Sequence, residues 1–219
     1  MSVSRRVLIG GLAGGFAALP FAARAQATAE KAEFYPIPVE VLSGLDGLQG
    51  TVTLGDPKAD IRLYEFFDYN CGFCKQTAKE IRPLLKSNKD LAVTLVNYAV
   101  LGIPSIGATR VALAFSQQKA GRYLDFHEAL FARRGTIDAN HAIEVALKLG
   151  AKKAKLVEDA DSDPVTAAMK AASALGQRFG FQATPSYLLG RDGFTGFLNL
   201  QQKQAAIAAF RQCERAACG

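Results

Sequence analysis

Hydrophobic and polar positions follow a strand pattern, then a helix pattern, then a strand pattern again. Alternation at residues 51–54 and a mostly apolar run at 61–67 predict two strands. Residues 71–86 have helical spacing, with a kink expected at Pro83, and residues 91–98 predict the next strand. Because a strand, helix and strand in this order need a crossover connection, the pattern predicts a parallel strand pair.

The following part of the chain is helical. Residues 105–180 contain no convincing strand, and four segments have helical spacing, at 106–118, 123–133, 139–149 and 164–179. Strand patterns return at 186–189 and 194–198, joined by a turn at 190–193, and a helix is predicted at 201–215. This order predicts an α/β frame that is interrupted by a helical insertion.

These patterns divide the chain into segments. Residues 26–50 have no clear period and predict an arm that lies over the domain. The frame then consists of residues 51–104 and 181–215, the helical insertion of residues 105–180, and a short C-terminal tail of residues 216–219.

The first 25 residues have the layout of a secretory signal peptide. A basic start precedes an apolar stretch and ends in small residues, so we expect cleavage after Ala25. A membrane anchor is the alternative, but the apolar stretch is short, rich in glycine and interrupted by Pro20. Arg5 and Arg6 also resemble a twin-arginine (Tat) export signal, which leaves the Tat and general secretory (Sec) routes open. The expected location is the periplasm.

Composition and charge narrow the function classes. The chain has 219 residues, of which 49% are hydrophobic and 21% charged, enough for a packed core. Removing residues 1–25 takes away three arginines and no acidic residue, which lowers the formal net charge from +6 to +3. We find no basic run interleaved with aromatic residues, so nucleic acid is not an expected partner. An exported chain of this kind meets an oxidising compartment, where thiols can pair.

The stretch FFDYNCGFCKQT carries the candidate chemistry. Its cysteines, Cys71 and Cys74, stand where the second predicted strand passes into a helix. A zinc site needs about four ligands, and the remaining cysteines, Cys213 and Cys218, have a spacing that is unusual for zinc. A disulfide across two residues closes too small a loop to be a useful structural crosslink. A helix N-terminus stabilises a thiolate, so the position favours a redox-active disulfide with no metal or other cofactor.

Two motifs together resemble the DsbA-type thiol:disulfide oxidoreductases of the thioredoxin superfamily. They are EFFDYNCGFCK at residues 65–75 and ATPSY at residues 183–187, and the resemblance covers about residues 50–212. It implies a thioredoxin-like core with an inserted helical domain. It further implies that Cys71 is the exposed nucleophile and that Cys74 is the buried thiol that resolves the mixed disulfide.

The resemblance also assigns residues around the cysteines. Pro185 matches the family's cis-proline, with Thr184 before it, and Glu65 matches a buried acid beneath the cysteines. Without the resemblance, Thr184 and Pro185 indicate only a turn, and Glu65 a polar residue on the solvated face of a strand. Gly72 and Phe73 replace the Pro-His pair of strong oxidants in this family, and we place both residues, with Thr184 and Pro185, in the client-binding surface.

Three functions follow as expectations. The leading one is an exported, monomeric oxidase that passes its disulfide to reduced, unfolded polypeptides and is recycled by a membrane redox partner. The second is an isomerase or reductase that a donor keeps reduced. The third is a non-catalytic chaperone-like or metal-handling module, which would need all four cysteines to bind a metal.

Cys213 and Cys218 are expected to have no part in turnover. Five residues rise about 7.5 Å along a regular helix, which is more than a disulfide spans. A bridge therefore requires the last helical turn to unwind. A structural disulfide at a frayed helix end and free or intermolecular thiols both remain open.

Overall fold

The computed structural model describes residue 1 and residues 32–218. Residues from 32 onward belong to one compact unit. Apart from Met1, the predicted signal peptide and its cleavage site lie outside the described residues. Among the described residues, no helix is both long and apolar enough to cross a membrane.

The elements alternate between sheet and helix as the sequence pattern indicates. The strands are β1 (Tyr35–Pro36), β2 (Thr51–Gly55), β3 (Ile61–Phe67), β4 (Leu91–Asn97), β5 (Ser186–Leu189) and β6 (Asp192–Thr195). The helices are α1 (Val39–Leu42), α2 (Gly72–Ala78), α3 (Ile81–Ser87), α4 (Ile103–Lys119), α5 (Tyr123–Phe131), α6 (Ala139–Lys148), α7 (Lys153–Ala160), α8 (Asp163–Arg178) and α9 (Leu200–Cys213). Short 3-10 turns follow α1 and α4, at Ser43–Leu45 and Ala120–Arg122.

One mixed sheet forms the centre of the unit, with strand order β1-β6-β5-β3-β4-β2. Strands β3 and β4 run parallel, as predicted, and the other neighbouring pairs are antiparallel. The arm adds β1 to one edge, and the helical insertion lies between β4 and β5 in the chain.

Both faces of the central strand β3 are covered. Successive side chains point to opposite faces of a strand. Leu63 and Phe67 accordingly belong to one buried cluster, which also contains Ile207 of α9, whereas Phe66 belongs to a second cluster with Phe179. Glu65 shares the face of Leu63 and Phe67, so it cannot reach solvent.

The predicted helix over residues 71–86 is two helices, and its break is not at Pro83. Helix α2 ends at Ala78, and α3 begins at Ile81. Pro83 lies in the first turn of α3, where a backbone N–H has no helical acceptor and a proline is tolerated. The expected kink at Pro83 is therefore wrong.

The insertion differs from its predicted pattern in two places. Helix α4 begins at Ile103, three residues before the predicted start, with Pro104 in its first turn. Helix α7 was not predicted, because only Leu156 and Ala160 of its residues are buried and the hydrophobic signal is correspondingly short.

The end of the chain also differs from the pattern. Strand β6 covers Asp192–Thr195, so the turn is shorter than predicted and the expected strand at 194–198 is displaced towards the N-terminus. Helix α9 ends at Cys213, where Glu214 adopts a left-handed backbone with φ of 54°. This change of direction brings the Cα atoms of Cys213 and Cys218 to 6.1 Å, and the two form a disulfide. The structural-disulfide alternative is therefore confirmed.

Candidate active site

The two cysteines of the CxxC motif lie at the junction of β3 and α2. Strand β3 ends at Phe67, and Cys71 has an extended backbone and caps the N-terminus of α2. Its Sγ accepts the backbone N–H of Cys74 at 3.2 Å. Both cysteines are free thiols in the structure, and both are buried. The expectation of an exposed Cys71 is therefore wrong: only 7% of it is exposed, because its Sγ packs against the backbone of Thr184.

The surroundings of Cys71 favour its thiolate. The hydrogen bond with the Cys74 side chain contributes most, and contacts with Thr184 and with the backbone N–H groups of Cys74 and Phe73 add to it. Together they outweigh burial and lower the pKa of Cys71 from 9.0 to about 6. Cys71 is therefore mostly ionised at neutral pH, and the thiolate is the species that takes part in disulfide exchange.

Cys74 has the opposite environment. It is fully buried, and burial is the largest of the effects that raise its pKa far above the ordinary value. Its hydrogen bond with Cys71 and the charges of Cys71 and Glu65 raise the pKa further. Cys74 is therefore a neutral thiol when reduced, and it must exchange a proton whenever its sulfur forms or leaves a disulfide.

Thr184 and Pro185 lie beside Cys71, as expected. The peptide bond between them is cis, which confirms the prediction, and β5 begins at the next residue. The Sγ of Cys71 lies 3.1 Å from the carbonyl oxygen of Thr184 and donates to it as a thiol. Their predicted role in client binding remains a prediction.

Gly72 and Phe73 lie at the surface. The side chain of Phe73 is 54% exposed, and its ring is 5.4 Å from the ring of Phe197. A side chain at position 72 would meet open space. These positions adjoin Cys71 in the chain and face solvent.

Glu65 is buried, which overturns the reading of a solvated strand residue. Only 2% of it is exposed, because α2 and α9 cover its face of the sheet. Burial is the main cause of its raised pKa, and the charge of Lys203 and the Thr77 hydrogen bond act in the opposite direction. The Thr77 hydroxyl lies 2.5 Å from a Glu65 carboxyl oxygen and 3.0 Å from the carbonyl oxygen of Cys74.

Sequence reasoning missed Lys203. This lysine of α9 is 2% exposed, its Nζ is 2.8 Å from Glu80, and it lies 5.2 Å from the centre of the Tyr187 ring. Its spacing was a usable signal, because Lys203 stands three and four residues before the buried Ala206 and Ile207 and so occupies the apolar face of the helix.

Sequence reasoning also missed Asp68, which is completely buried next to the cysteine motif. Its carboxylate accepts hydrogen bonds from the backbone N–H groups of Asn70, Val100 and Leu101 and from the Ser105 hydroxyl, at 2.6 to 2.9 Å. Asp68 therefore ties the turn before Cys71 to the start of the helical insertion. The sequence signal that could have identified Asp68 is its position as an acidic residue between an apolar strand and the cysteines.

The metal-handling alternative gains no support from the site. Two of the four cysteines that it requires, Cys213 and Cys218, are bonded to each other. Within the described residues, no group of three or more His, Cys, Asp or Glu side chains is placed to hold a metal ion.

A sheet with a parallel β-α-β unit, a CxxC motif at the helix N-terminus and a cis-proline beside it define a thioredoxin-like thiol:disulfide oxidoreductase. Residues 62–208 match the model of the DSBA-like thioredoxin domain. The chain belongs to that family, whose members exchange thiols and disulfides, and its fold is the family's thioredoxin-like core with an inserted helical region.

Individual relatives agree with this assignment. Disulfide bond formation protein D of Bacillus subtilis is 26% identical over 178 residues, which cover 77% of this chain and 80% of that protein. A thioredoxin-like oxidoreductase from Silicibacter pomeroyi is 31% identical, with a TM-score of 0.72 over 78% of this chain and 98% of the other. A periplasmic thioredoxin-like protein from Salmonella enterica serovar Typhimurium is 22% identical, with a TM-score of 0.68 over 78% of this chain and 95% of the other, and supports the fold.

Proposed function

We propose that this protein is an exported thiol:disulfide oxidase that transfers the Cys71–Cys74 disulfide to reduced, unfolded polypeptides. The observation that carries the proposal is the contrast between the two thiols. A pKa of about 6 makes Cys71 a good leaving group, while Cys74 is held as a buried neutral thiol. The similarity to a disulfide bond formation protein supports the same direction of transfer.

The reaction has two exchanges. A client thiolate attacks the Sγ of Cys71 in the enzyme disulfide, which joins client to Cys71, breaks the bond to Cys74 and leaves Cys74 to take up a proton. A second client thiolate attacks the client sulfur of this mixed disulfide and expels Cys71 as a thiolate. The client loses two electrons and gains a disulfide, and the enzyme gains the two electrons.

The client would bind beside Cys71. Thr184 supports this role because its carbonyl oxygen is already within hydrogen-bonding distance of Cys71, and an extended client segment could pair with the backbone there. Phe73, two residues after Cys71, offers an exposed apolar contact. The reduced enzyme would then return its electrons to a membrane redox partner in the periplasm, which fits the signal-like residues 1–25.

Cysteine variants test the roles of the two thiols. Cys74→Ser should accumulate mixed disulfides with clients, because no internal thiol remains to release them, whereas the matched Cys71→Ser should trap none. Non-reducing gels of periplasmic extracts would show the difference. Equal trapping by both variants would contradict the assignment of roles.

The redox state of Cys71 and Cys74 in the cell tests whether the protein oxidises or reduces its clients. Rapid acid quenching and alkylation of periplasm should find the Cys71–Cys74 pair mainly oxidised if the protein is an oxidase. A mainly reduced pair would contradict the oxidase function and favour that of an isomerase or reductase. A pair that exchanges with neither glutathione nor clients would favour the non-catalytic chaperone-like module.

A further inference from the structure

The residue before Cys71 has a side chain that reaches the helical insertion. The amide nitrogen of Asn70 donates to the Ser105 hydroxyl and to the carbonyl oxygen of Ile137, both at 2.9 Å. Its amide oxygen accepts the backbone N–H of the same Ile137 at 2.7 Å. Ser105 lies in the first turn of α4, and Ile137 lies in the loop between α5 and α6. Asn70 therefore joins the cysteine motif to two parts of the insertion.

These contacts require an asparagine. An asparagine in a turn commonly bonds the backbone about two residues further on, whereas Asn70 bonds a residue 67 positions away. The two bonds to Ile137 need a donor and an acceptor side by side on one side chain, and an aspartate lacks the donor. Ile137 is buried, so its backbone N–H and C=O depend on this amide rather than on solvent.

The turn that leads into Cys71 is closed by further hydrogen bonds. The backbone N–H of Asn70 and the hydroxyl of Ser105 donate to the same carboxylate oxygen of Asp68, at 2.8 and 2.6 Å. The backbone N–H of Cys71 donates to the carbonyl oxygen of Asp68 at 3.1 Å. Because Asn70 also donates to Ser105, these residues form a closed ring of hydrogen bonds directly before the cysteine.

A second side chain ties the other end of the motif to the same loop. Lys75 follows Cys74, and its Nζ lies 2.7 Å from the carbonyl oxygen of Arg133, between α5 and α6. The motif thus lies between two side chains that hold one loop. The Cys71 sulfur accepts the backbone N–H of Cys74 at 3.2 Å, and such a bond weakens steeply when its geometry changes.

We propose that Asn70 is a positioning residue for thiol:disulfide exchange: its side-chain amide, bonded to the insertion, holds Cys71 where its sulfur accepts the backbone N–H of Cys74. The inference deepens the proposed function and rests on it, because this geometry affects turnover only if Cys71 exchanges disulfides. The step that it favours is the second exchange, in which a client thiolate forms the client disulfide and the electrons of the broken bond stay on the Cys71 sulfur.

Asn70→Ala and Asn88→Ala form a matched pair of variants. Asn88 is also buried and joins two elements, since its amide donates to Leu84 and accepts from Arg211, but it lies at the end of α3. Both variants should lower the free energy of unfolding. The pH dependence of iodoacetamide alkylation gives the Cys71 midpoint. This midpoint should rise from about 6 by about one pH unit in Asn70→Ala and stay unchanged in Asn88→Ala.

The equilibrium with glutathione gives a second readout. At pH 8, the weaker stabilisation of the Cys71 thiolate in Asn70→Ala should shift the equilibrium about tenfold towards the disulfide form, which lowers the reduction potential by about 30 mV. At pH 5, Cys71 is mostly protonated in both proteins, so this difference should nearly vanish. A change in packing alone would shift the potential by the same amount at both pH values, or not at all.

An unchanged Cys71 midpoint in Asn70→Ala, an equal shift in Asn88→Ala, or a potential difference that persists at pH 5 would overturn the proposal. If Asn70→Ala does not fold, Asn70→Ser has a hydroxyl that cannot make both bonds to Ile137, and the same readouts should show a smaller shift of the same sign. Neither readout depends on the direction of transfer to clients. A pair found reduced in the periplasm would therefore contradict the oxidase and leave this test intact.

Discussion

At the scale of single residues, Cys71 and Cys74 lose their thiol protons at different pH. The number of protons bound by the reduced pair therefore changes with pH. Cys71 loses its proton near pH 6, whereas the raised pKa of Cys74 keeps that thiol protonated. Reduction of the disulfide therefore takes up two protons below pH 6 and one above it. The reduction potential should fall by about 59 mV per pH unit at low pH and by about 30 mV per pH unit above pH 6.

Redox equilibria with glutathione between pH 4.5 and 8.5 would measure this change of slope. Because the folded pKa of Cys71 lies below the ordinary 9.0, ionisation stabilises the reduced folded protein. This stabilisation is complete above pH 9 and is lost as the pH falls through 6. A potential that keeps the steeper slope up to pH 8 would show that Cys71 has an ordinary thiol pKa.

Thr77 and Thr109 form a matched pair for testing the hydrogen bond to Glu65. Both are buried, but the Thr77 hydroxyl donates to Glu65, whereas the Thr109 hydroxyl has no hydrogen-bond partner among the described residues. Thr77→Val should lower the free energy of unfolding by about 1–3 kcal/mol, because the buried carboxyl loses its donor. Thr109→Val should be neutral or stabilising. Urea unfolding at pH 7 compares them, and equal losses would argue against a special role for Thr77.

At the scale of elements, Asp68 joins the β3–α2 junction to the first turns of the insertion. The Asp68 carboxylate accepts hydrogen bonds from several donors. In Asp68→Asn, the side-chain NH2 group replaces one of the accepting oxygens and faces these donors without being able to accept from them. We expect a loss of about 3 kcal/mol in the free energy of unfolding and faster amide exchange at Val100 and Leu101.

Asp125→Asn is the control for Asp68. Asp125 is exposed and pairs with Arg82 and Arg122 at the surface, where such ion pairs contribute about 0–1 kcal/mol. Both variants replace a carboxylate by an amide of the same shape. A loss at Asp68 no larger than the loss at Asp125 would mean that the tie between the two elements is weak.

The sequence predicted correctly the elements whose own residues carry a strong local pattern. Buried strands such as β3 and β4 stand out as apolar runs, and the cysteine motif marks the start of α2. The position of Pro83 within α3 could not be predicted, because a proline is equally compatible with a kink and with a first turn. Helix α7 was missed because most of its residues face solvent.

Only the part of the candidate site that belongs to local sequence motifs could be predicted. The cysteines and the cis-proline belong to local motifs, so their meeting follows from the resemblance and from strand order. The polar groups beneath them come from β3, from the turn between α2 and α3, from β5 and from α9, and no local pattern connects Glu65 with Lys203. The electrostatic interaction between these two residues depends on how the last helix packs on the sheet.

At the scale of the whole molecule, the segment that follows α9 is bonded to strand β6, far along the sequence from the cysteine motif. Asp192 of β6 is buried, and it accepts hydrogen bonds from the Arg215 guanidinium and the Ala216 backbone N–H. The Cys213–Cys218 disulfide closes the loop that carries both donors. The bond thus holds the donors near Asp192 and takes no part in the exchange chemistry that we propose for Cys71.

Replacing Cys213 and Cys218 together by serine should therefore lower stability and leave activity unchanged. The chain-entropy model gives about 2 kcal/mol for a loop of this size. Arg215→Ala should also destabilise the protein, because the buried Asp192 carboxylate loses its main partner. Since either change releases the same segment, the combined variant should lose less stability than the sum of the two. Urea unfolding and glutathione exchange measure both properties, and a folded double-serine variant with impaired exchange would place the second disulfide in the reaction.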